Sequence, residues 1–199
     1  MNFKLMTVAL LALGLGAWLA YGLHTPATPT VVTGKALIGG PFSLIDQTGK
    51  RISDQDFRGR YMLVYFGYTF CPDVCPASLQ VISAALDQLG PAADKITPVF
   101  ITLDPERDTP EKLASYIRSF HPRLVGLTGS PAEIAAAVKA YRVYAKKVPD
   151  EKNPADYTMD HSSIVFLMGP DGNLIAFSPE TTKVDALVAQ LRKGLAVKG

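Results

Sequence analysis

Tyr61-Met62-Leu63-Val64-Tyr65-Phe66-Gly67-Tyr68 is an almost unbroken apolar and aromatic run. Apolar continuity without alternation predicts a strand covered on both faces, as in a parallel sheet. Leu79, Ile82, Leu86 and Leu89 then recur at helical spacing between Pro76 and the Gly90-Pro91 stop, which predicts a helix over 77–89. A second apolar strand is expected over 96–103, followed by a helix that begins at Pro110 and buries Leu113, Ile117 and Phe120. After a short strand over 124–127, Ser130-Pro131-Ala132-Glu133 carries an N-cap serine, a first-turn proline and a capping-box glutamate. The helix it opens is expected to reach about Lys147, with Ile134, Val138, Tyr141 and Ala145 buried. Residues 148–157 are polar, contain Pro149 and Pro154, and read as an exposed excursion. Two hairpins are predicted, over 42–46 with 51–53, and over 164–168 with 174–177 across a Gly169-Pro170-Asp171-Gly172-Asn173 turn. Val184, Leu187, Val188, Leu191 and Leu195 mark a last amphipathic helix.

Strand–helix–strand–helix order followed by a hairpin and a final helix specifies an α/β sandwich with a mixed central sheet. The order is thioredoxin-like, over a domain spanning 41–199. An N-terminal appendage precedes it. Residues 5–23 contain no charge and are rich in Leu and Ala, long enough to cross a bilayer as one transmembrane helix. Residues 1–23 therefore read as a membrane anchor, and 24–40, with Pro26 and Pro29 and no apolar periodicity, as a tether. A cleaved signal peptide is the alternative, but Trp18 stands where a cut after Ala20 would need a small residue. Lys4 precedes the apolar run and Lys35 is the first basic residue after it, which points to an inside N-terminus. That arrangement is a single pass through the inner (cytoplasmic) membrane, with the domain facing the periplasm or extracytoplasmic side.

Composition changes this picture little. The chain has 199 residues, 48% of them hydrophobic, enough for one domain with a substantial core. Its 20 basic and 18 acidic residues form no basic stretch, so nucleic-acid binding is disfavoured.

The candidate chemistry lies in Cys71-Pro72-Asp73-Val74-Cys75-Pro76, which holds both cysteines of the chain. It falls between a buried strand and a helix, the end of an open α/β sheet where ligands collect. A thiolate there is favoured by the unpaired N–H groups and positive end of the helix. Cys71 and Cys75 stand at i and i+4, so if the loop has begun to coil, both sulfurs project to one side. They could close on a metal ion or on each other; a small local disulfide or two inert buried thiols are the plainer readings. Thioredoxin-like oxidoreductases carry a proline in the loop facing their thiols, but no proline lies immediately before Ile164. Met159-Asp160-His161-Ser162 occupies that place, which puts His161 opposite the cysteines. Two thiolates and one imidazole select copper or zinc. Zinc with three protein ligands and a water is possible; copper is preferred because Cu(I) accepts a low-coordinate thiolate-rich site and no fourth protein ligand is evident. Asp160 either orients the imidazole or faces solvent, and Met159 offers a soft contact or simple packing. Asp104-Pro105-Glu106-Arg107-Asp108 reads as a solvated turn in which Asp108 or Thr109 caps the following helix, or else as a partner-facing patch. His121 reads as a capping or surface residue.

The run Tyr65-Phe66-Gly67-Tyr68-Thr69-Phe70-Cys71-Pro72-Asp73-Val74-Cys75-Pro76, the segment Asp104-Pro105-Glu106-Arg107-Asp108-Thr109-Pro110, and Asp160-His161 ahead of Gly169-Pro170-Asp171-Gly172 agree in order and spacing with one known family. Over about residues 41–194 the chain resembles the Sco (SenC) family, membrane-anchored copper-binding proteins that assist cytochrome c oxidase assembly. The resemblance implies that Cys71, Cys75 and His161 are copper ligands. It implies that the expected partner is the copper-bearing oxidase subunit, which receives a binuclear centre, with another copper chaperone or a thiol reductase as a further partner. A membrane-anchored thiol:disulfide reductase, using Cys71 and Cys75 as a redox-active pair to keep the oxidase cysteines reduced, is the rival function. A thiol peroxidase gives no reason for His161.

Overall fold

β3 (Tyr61–Gly67) is buried at every position. Because successive side chains of a strand point to opposite faces, Leu63 and Tyr65 enter one core cluster while Met62, Val64 and Phe66 enter another on the far side of the sheet. The unbroken apolar run is thus two alternating patterns superimposed. The computed structural model describes residues 38–150, 153, 156–179 and 182–196. The expected anchor over 1–23, and all of the tether but its last three residues, lie outside them. Among the described residues no helix is long and apolar enough to cross a membrane. Ile38 packs against the second core cluster and the Gly39 N–H donates to the Ala140 carbonyl at 3.0 Å, so the chain is already seated on the domain at these positions.

The main sheet also contains β1 (Ser43–Asp46), β2 (Arg51–Ser53), β4 (Ile96–Thr102), β5 (Val125–Thr128), β8 (Ile164–Met168) and β9 (Leu174–Pro179). Its order is β2-β1-β5-β4-β3-β8-β9. β3, β4 and β5 pair in parallel and the remaining pairs are antiparallel, which is the mixed sheet expected. α1 (Val74–Leu89), α2 (Pro110–Ile117) and α4 (Val184–Ala196) cover one face through Leu79, Leu86, Leu113, Leu187 and Leu191. α3 (Pro131–Ala140) covers the other through Ile134 and Ala137. β6 (Ala145–Pro149) and β7 (Tyr157–His161) form a separate two-stranded sheet whose outward residues are exposed.

Four features differ from the sequence-based expectation. α1 begins at Val74, so Cys75 and Pro76 belong to its first turn, where a proline has no helical hydrogen bond to lose. α3 does not run to Lys147 but stops at Ala140. Its end is a Schellman turn in which the Val143 N–H donates to the Val138 carbonyl at 3.0 Å and the Arg142 N–H to the Lys139 carbonyl at 3.2 Å. The left-handed residue in that turn is Arg142, at φ 54°. No glycine or proline announces this stop, and Ala145, expected in a helical stripe, starts β6 instead. The excursion over 148–157 and the loop over 158–161 contain strands, because the backbone groups of both segments satisfy each other across the β6–β7 ladder. His121 is 8% exposed rather than on the surface: its Nδ1 accepts the Arg123 N–H at 3.2 Å and its Nε2 lies 3.8 Å from Asp87.

A non-glycine residue in the left-handed region carries a conformational cost of roughly 1–2 kcal/mol. Arg142→Gly is expected to relieve most of it, raising stability by about 1 kcal/mol and the melting temperature by about 2–4 °C. Thermal unfolding followed by circular dichroism checks this; a lower melting temperature would mean that the arginine side chain contributes more than its backbone strain removes.

Candidate metal centre

Parallel pairing of β3 with β4 brings their C-terminal ends to the same edge of the sheet. The loop leaving β3 carries Cys71, and Cys75 follows as the second residue of α1. Gly67 makes room for it: a Cβ there would stand 2.9 Å from Cys75 Sγ and 2.9 Å from the Phe100 ring. Both cysteines are free, Cys71 half-buried and Cys75 buried. The Cys75 N–H donates to Cys71 Sγ at 3.4 Å, so the first sulfur caps an N–H that the opening turn of α1 would otherwise leave unpaired. The Cys71 thiol is pulled down to about 5, chiefly because the Cys75 thiol donates to its sulfur; burial opposes this, and the Cys75 and Asp73 N–H groups and the nearby imidazole assist. Cys75 is pushed up by the same hydrogen bond, which holds its proton, and by burial. The pair is therefore one thiolate and one thiol sharing a proton.

His161 ends β7 and completes the set. Its Nε2 lies 3.7 Å from Cys75 Sγ, and its Nδ1 lies 3.2 Å from the Ser162 carbonyl oxygen. A carbonyl can only accept, so Nδ1 carries a proton toward it, and in the neutral tautomer the Nε2 lone pair faces Cys75 Sγ, the tautomer a metal requires. The edge of the ring packs on Tyr68, with centroids 6.0 Å apart and planes at 83°. Tyr68 is itself buried, and its phenol is shifted upward by that burial and by the two cysteine sulfurs. Asp160 is exposed and lies opposite Lys146 in the ladder; the Ser162 carbonyl, not this carboxylate, orients the imidazole. Met159 packs against both core clusters. Among the described residues no three His, Cys, Asp or Glu side chains are already gathered around one point. Cys71 meets Cys75 and Cys75 meets His161, so the donors are joined in pairs. Their softness and number suit a thiophilic ion that accepts two sulfurs and one nitrogen. His121 takes no part in this set.

The acidic loop after β4 was expected to be a solvated turn, and it is not. Thr109 caps α2 as expected, its hydroxyl accepting the Lys112 N–H at 3.4 Å. Asp104 and Asp108 are fully buried. Asp108 accepts from the Thr69 N–H at 3.0 Å, the Thr69 hydroxyl at 2.5 Å and the Thr102 hydroxyl at 2.6 Å, which anchors the backbone two residues before Cys71. Asp104 accepts from Arg107 Nε and, at 2.7 Å, from the Tyr157 hydroxyl at the start of β7. The available signal was topological: if residues 61–68 and 96–103 are adjacent parallel strands, the loops after them lie side by side.

The SCO1/SenC family model matches residues 30–196. The chain is 45% identical over 155 residues to the mitochondrial SCO1 homolog 1 of Arabidopsis thaliana, covering 77% of this chain and 46% of that protein. It is 42% identical over 160 residues to the human mitochondrial SCO1 homolog, covering 79% and 53%. The chain thus spans about half the length of these curated relatives. Among solved structures, copper-bound Arabidopsis thaliana ScoI superposes with a TM-score of 0.75 at 43% identity, covering 79% of this chain and 98% of that one. Copper-bound Bradyrhizobium japonicum ScoI gives 0.72 at 48% identity, covering 78% and 98%. The fold is accordingly the mixed α/β, thioredoxin-like fold of these proteins. With a family model matching most of its length and close relatives on both counts, the chain belongs to the SCO1/SenC family.

Proposed function

We propose that this protein is a membrane-anchored copper carrier that binds copper through Cys71, Cys75 and His161 and passes it to the copper-bearing subunit of cytochrome c oxidase during assembly. The observation that carries the reading is the imidazole Nε2 standing 3.7 Å from Cys75 Sγ, with its tautomer set by the Ser162 carbonyl. A purely thiol-based reaction draws on that nitrogen only through its minor effect on the Cys71 thiol. Solved relatives such as the Arabidopsis thaliana and Bradyrhizobium japonicum ScoI proteins hold copper, and the donor set here is of the kind copper accepts. The anchor over residues 1–23 would hold the domain on the extracytoplasmic side, where an assembling oxidase subunit presents its copper site.

A second reading rests on the unequal thiols. A thiolate pulled down to about 5 beside a thiol that keeps its proton is the nucleophile and resolving pair of a disulfide reductase. In that reaction Cys71 sulfur attacks a target disulfide and displaces one target thiolate. Cys75 then attacks the mixed disulfide, releasing the second reduced target thiol and leaving a Cys71–Cys75 disulfide.

Three outcomes are expected. Reduced full-length protein, purified in detergent, should bind one copper, and oxidation to the Cys71–Cys75 disulfide should abolish binding, because a disulfide offers no thiolate; unchanged stoichiometry after oxidation contradicts the ligand set. His161→Ala should retain most reductase activity on a small disulfide substrate, while oxidase activity of cells grown at limiting copper falls towards the level of Cys71→Ser. Normal oxidase in those cells would favour the reductase. Finally, iodoacetamide should alkylate Cys71 well below pH 7 with a midpoint near 5, and Cys75→Ala, by removing the donated thiol proton, should move that midpoint upward; peptide mapping across pH reads this, and a midpoint unmoved by the substitution would assign the activation to the helix turn instead.

A further inference from the structure

The β6–β7 hairpin that carries His161 belongs to no part of the main sheet, and its own residues are largely exposed. Something must therefore hold the imidazole at its place opposite the cysteines, and the contacts converge on one side chain. The Arg107 guanidinium carbon lies 3.7 Å from the centroid of the Tyr157 ring and 4.6 Å from that of Phe70. Phe70 immediately precedes Cys71, and Tyr157 begins the strand that ends in His161. One planar cation is thus inserted between the loop of the thiols and the strand of the imidazole. It is fixed from below by the fully buried Asp104, to which Arg107 donates from Nε, and at the hairpin side by Asp156, 3.2 Å from Nη1. Its Nη2 is buried with no hydrogen-bond acceptor, so the faces of the two rings are what compensates that part of the cation. Tyr157 closes the circuit by donating its hydroxyl to Asp104 at 2.7 Å. A second link of the same kind lies nearby, where Lys147 of β6 pairs with Glu106 at 2.6 Å and sits 4.6 Å above the Tyr157 ring.

We infer that Arg107 is the positioning residue of the imidazole: clasped between Phe70 and Tyr157, it locks the hairpin, and with it His161, against the cysteine loop. The inference rests on the proposed ligand set, and it extends that set to a residue that touches neither sulfur nor ring. Opening the clasp leaves Cys75 on α1 and Cys71 on the loop that Asp108 anchors, and frees chiefly the nitrogen donor. The two sulfurs suffice for Cu(I), whereas Cu(II) draws on the nitrogen, so the clasp governs the second far more than the first.

The test uses full-length protein carrying Arg107→Lys or Tyr157→Leu. The lysine keeps a charge opposite Asp104 but cannot stack as a plane between two rings; the leucine leaves the Arg107–Asp104 pair intact, which guards against misfolding through an unpaired buried carboxylate. Both variants should lose Cu(II) affinity by about tenfold or more, and the histidine nitrogen coupling in the Cu(II) spin-resonance spectrum should weaken, with Cu(I) affinity unchanged. In the metal-free reduced protein, amide exchange across β6–β7 should speed up while β3 stays protected. Equal losses of Cu(I) and Cu(II) affinity would mean a general structural role and would overturn the inference, as would unaltered hairpin exchange in both variants. His161→Ala run in parallel separates the two ideas. If it leaves Cu(II) binding untouched, the ligand set fails, and hairpin exchange alone still decides whether the clasp exists.

Discussion

Two carboxylates buried at the end of β4 constrain everything around the thiols. A carboxylate removed from water is tolerated only where donors replace its hydration. Asp108 obtains them from Thr69 and Thr102, on the loop after β3 and on β4 itself, and Asp104 obtains them from Arg107 and Tyr157. Removing either acid would leave its donors buried and unmatched, so the cysteine loop and the imidazole strand are bound to the same short stretch of chain. The stretch is short because neighbouring parallel strands end together, and the loop of one has only a few ångströms to reach the loop of the other.

This constraint also divides the site mechanically. Cys75 is held by α1, by the apolar cluster beneath it and by the absence of a side chain at Gly67. Cys71 is held by the backbone that Asp108 anchors. His161 is held by a two-stranded sheet with an exposed outer face, docked through polar and cation–π contacts and the packing of Met159. Hydrophobic burial fixes one donor, a buried acid the second and a surface-facing clasp the third. The order runs from the most to the least rigid, because local stability falls as an element makes fewer buried apolar contacts.

Most of the sheet and the helices were legible in the sequence because their signals are local and strong. The continuous run at β3, the capping box of Ser130 and Glu133, and the stripes of α1, α2 and α4 each follow from side-chain spacing. The proximity of Cys71, Cys75 and His161 was legible too, since two cysteines at a strand–helix junction and a histidine in the facing segment occupy positions set by topology. What escaped is what side-chain spacing and residue type do not announce. Arg142 ends α3 in a conformation that its residue type disfavours, held by hydrogen bonds to Val138 and Lys139 that no local pattern announces. The β6–β7 strands form despite two prolines, because pairing partners 8 to 16 positions apart in the chain satisfy their backbone. Asp104, Arg107 and Asp108 have the composition of a solvated turn. Their burial became visible only when the partners Thr69, Phe70 and Tyr157 were brought beside them.

The proton shared by the two sulfurs bears on which ions the proposed site suits. In the metal-free protein the pair carries one negative charge, because Cys71 is ionised and Cys75 keeps its proton in hydrogen bond to it. Metal binding requires the second thiolate and therefore releases that proton. A monovalent ion that takes the proton's place leaves the charge of the buried pair unchanged, so the surrounding apolar cluster meets no new desolvation cost. A divalent ion brings the same pair from one negative charge to none, and the further nitrogen donor at hand is the His161 imidazole, 3.7 Å from Cys75 Sγ. Charge therefore does not disfavour the divalent complex; what that ion adds is a demand for a nitrogen donor beside the sulfurs, so it leans on His161, and through it on the clasp, where the monovalent complex leans on the sulfurs alone. The element that distinguishes the two oxidation states is then the hairpin, the least deeply packed part of the centre. A partner that displaced the hairpin would destabilise the divalent form first and leave a two-sulfur site from which an incoming pair of thiolates can take the ion.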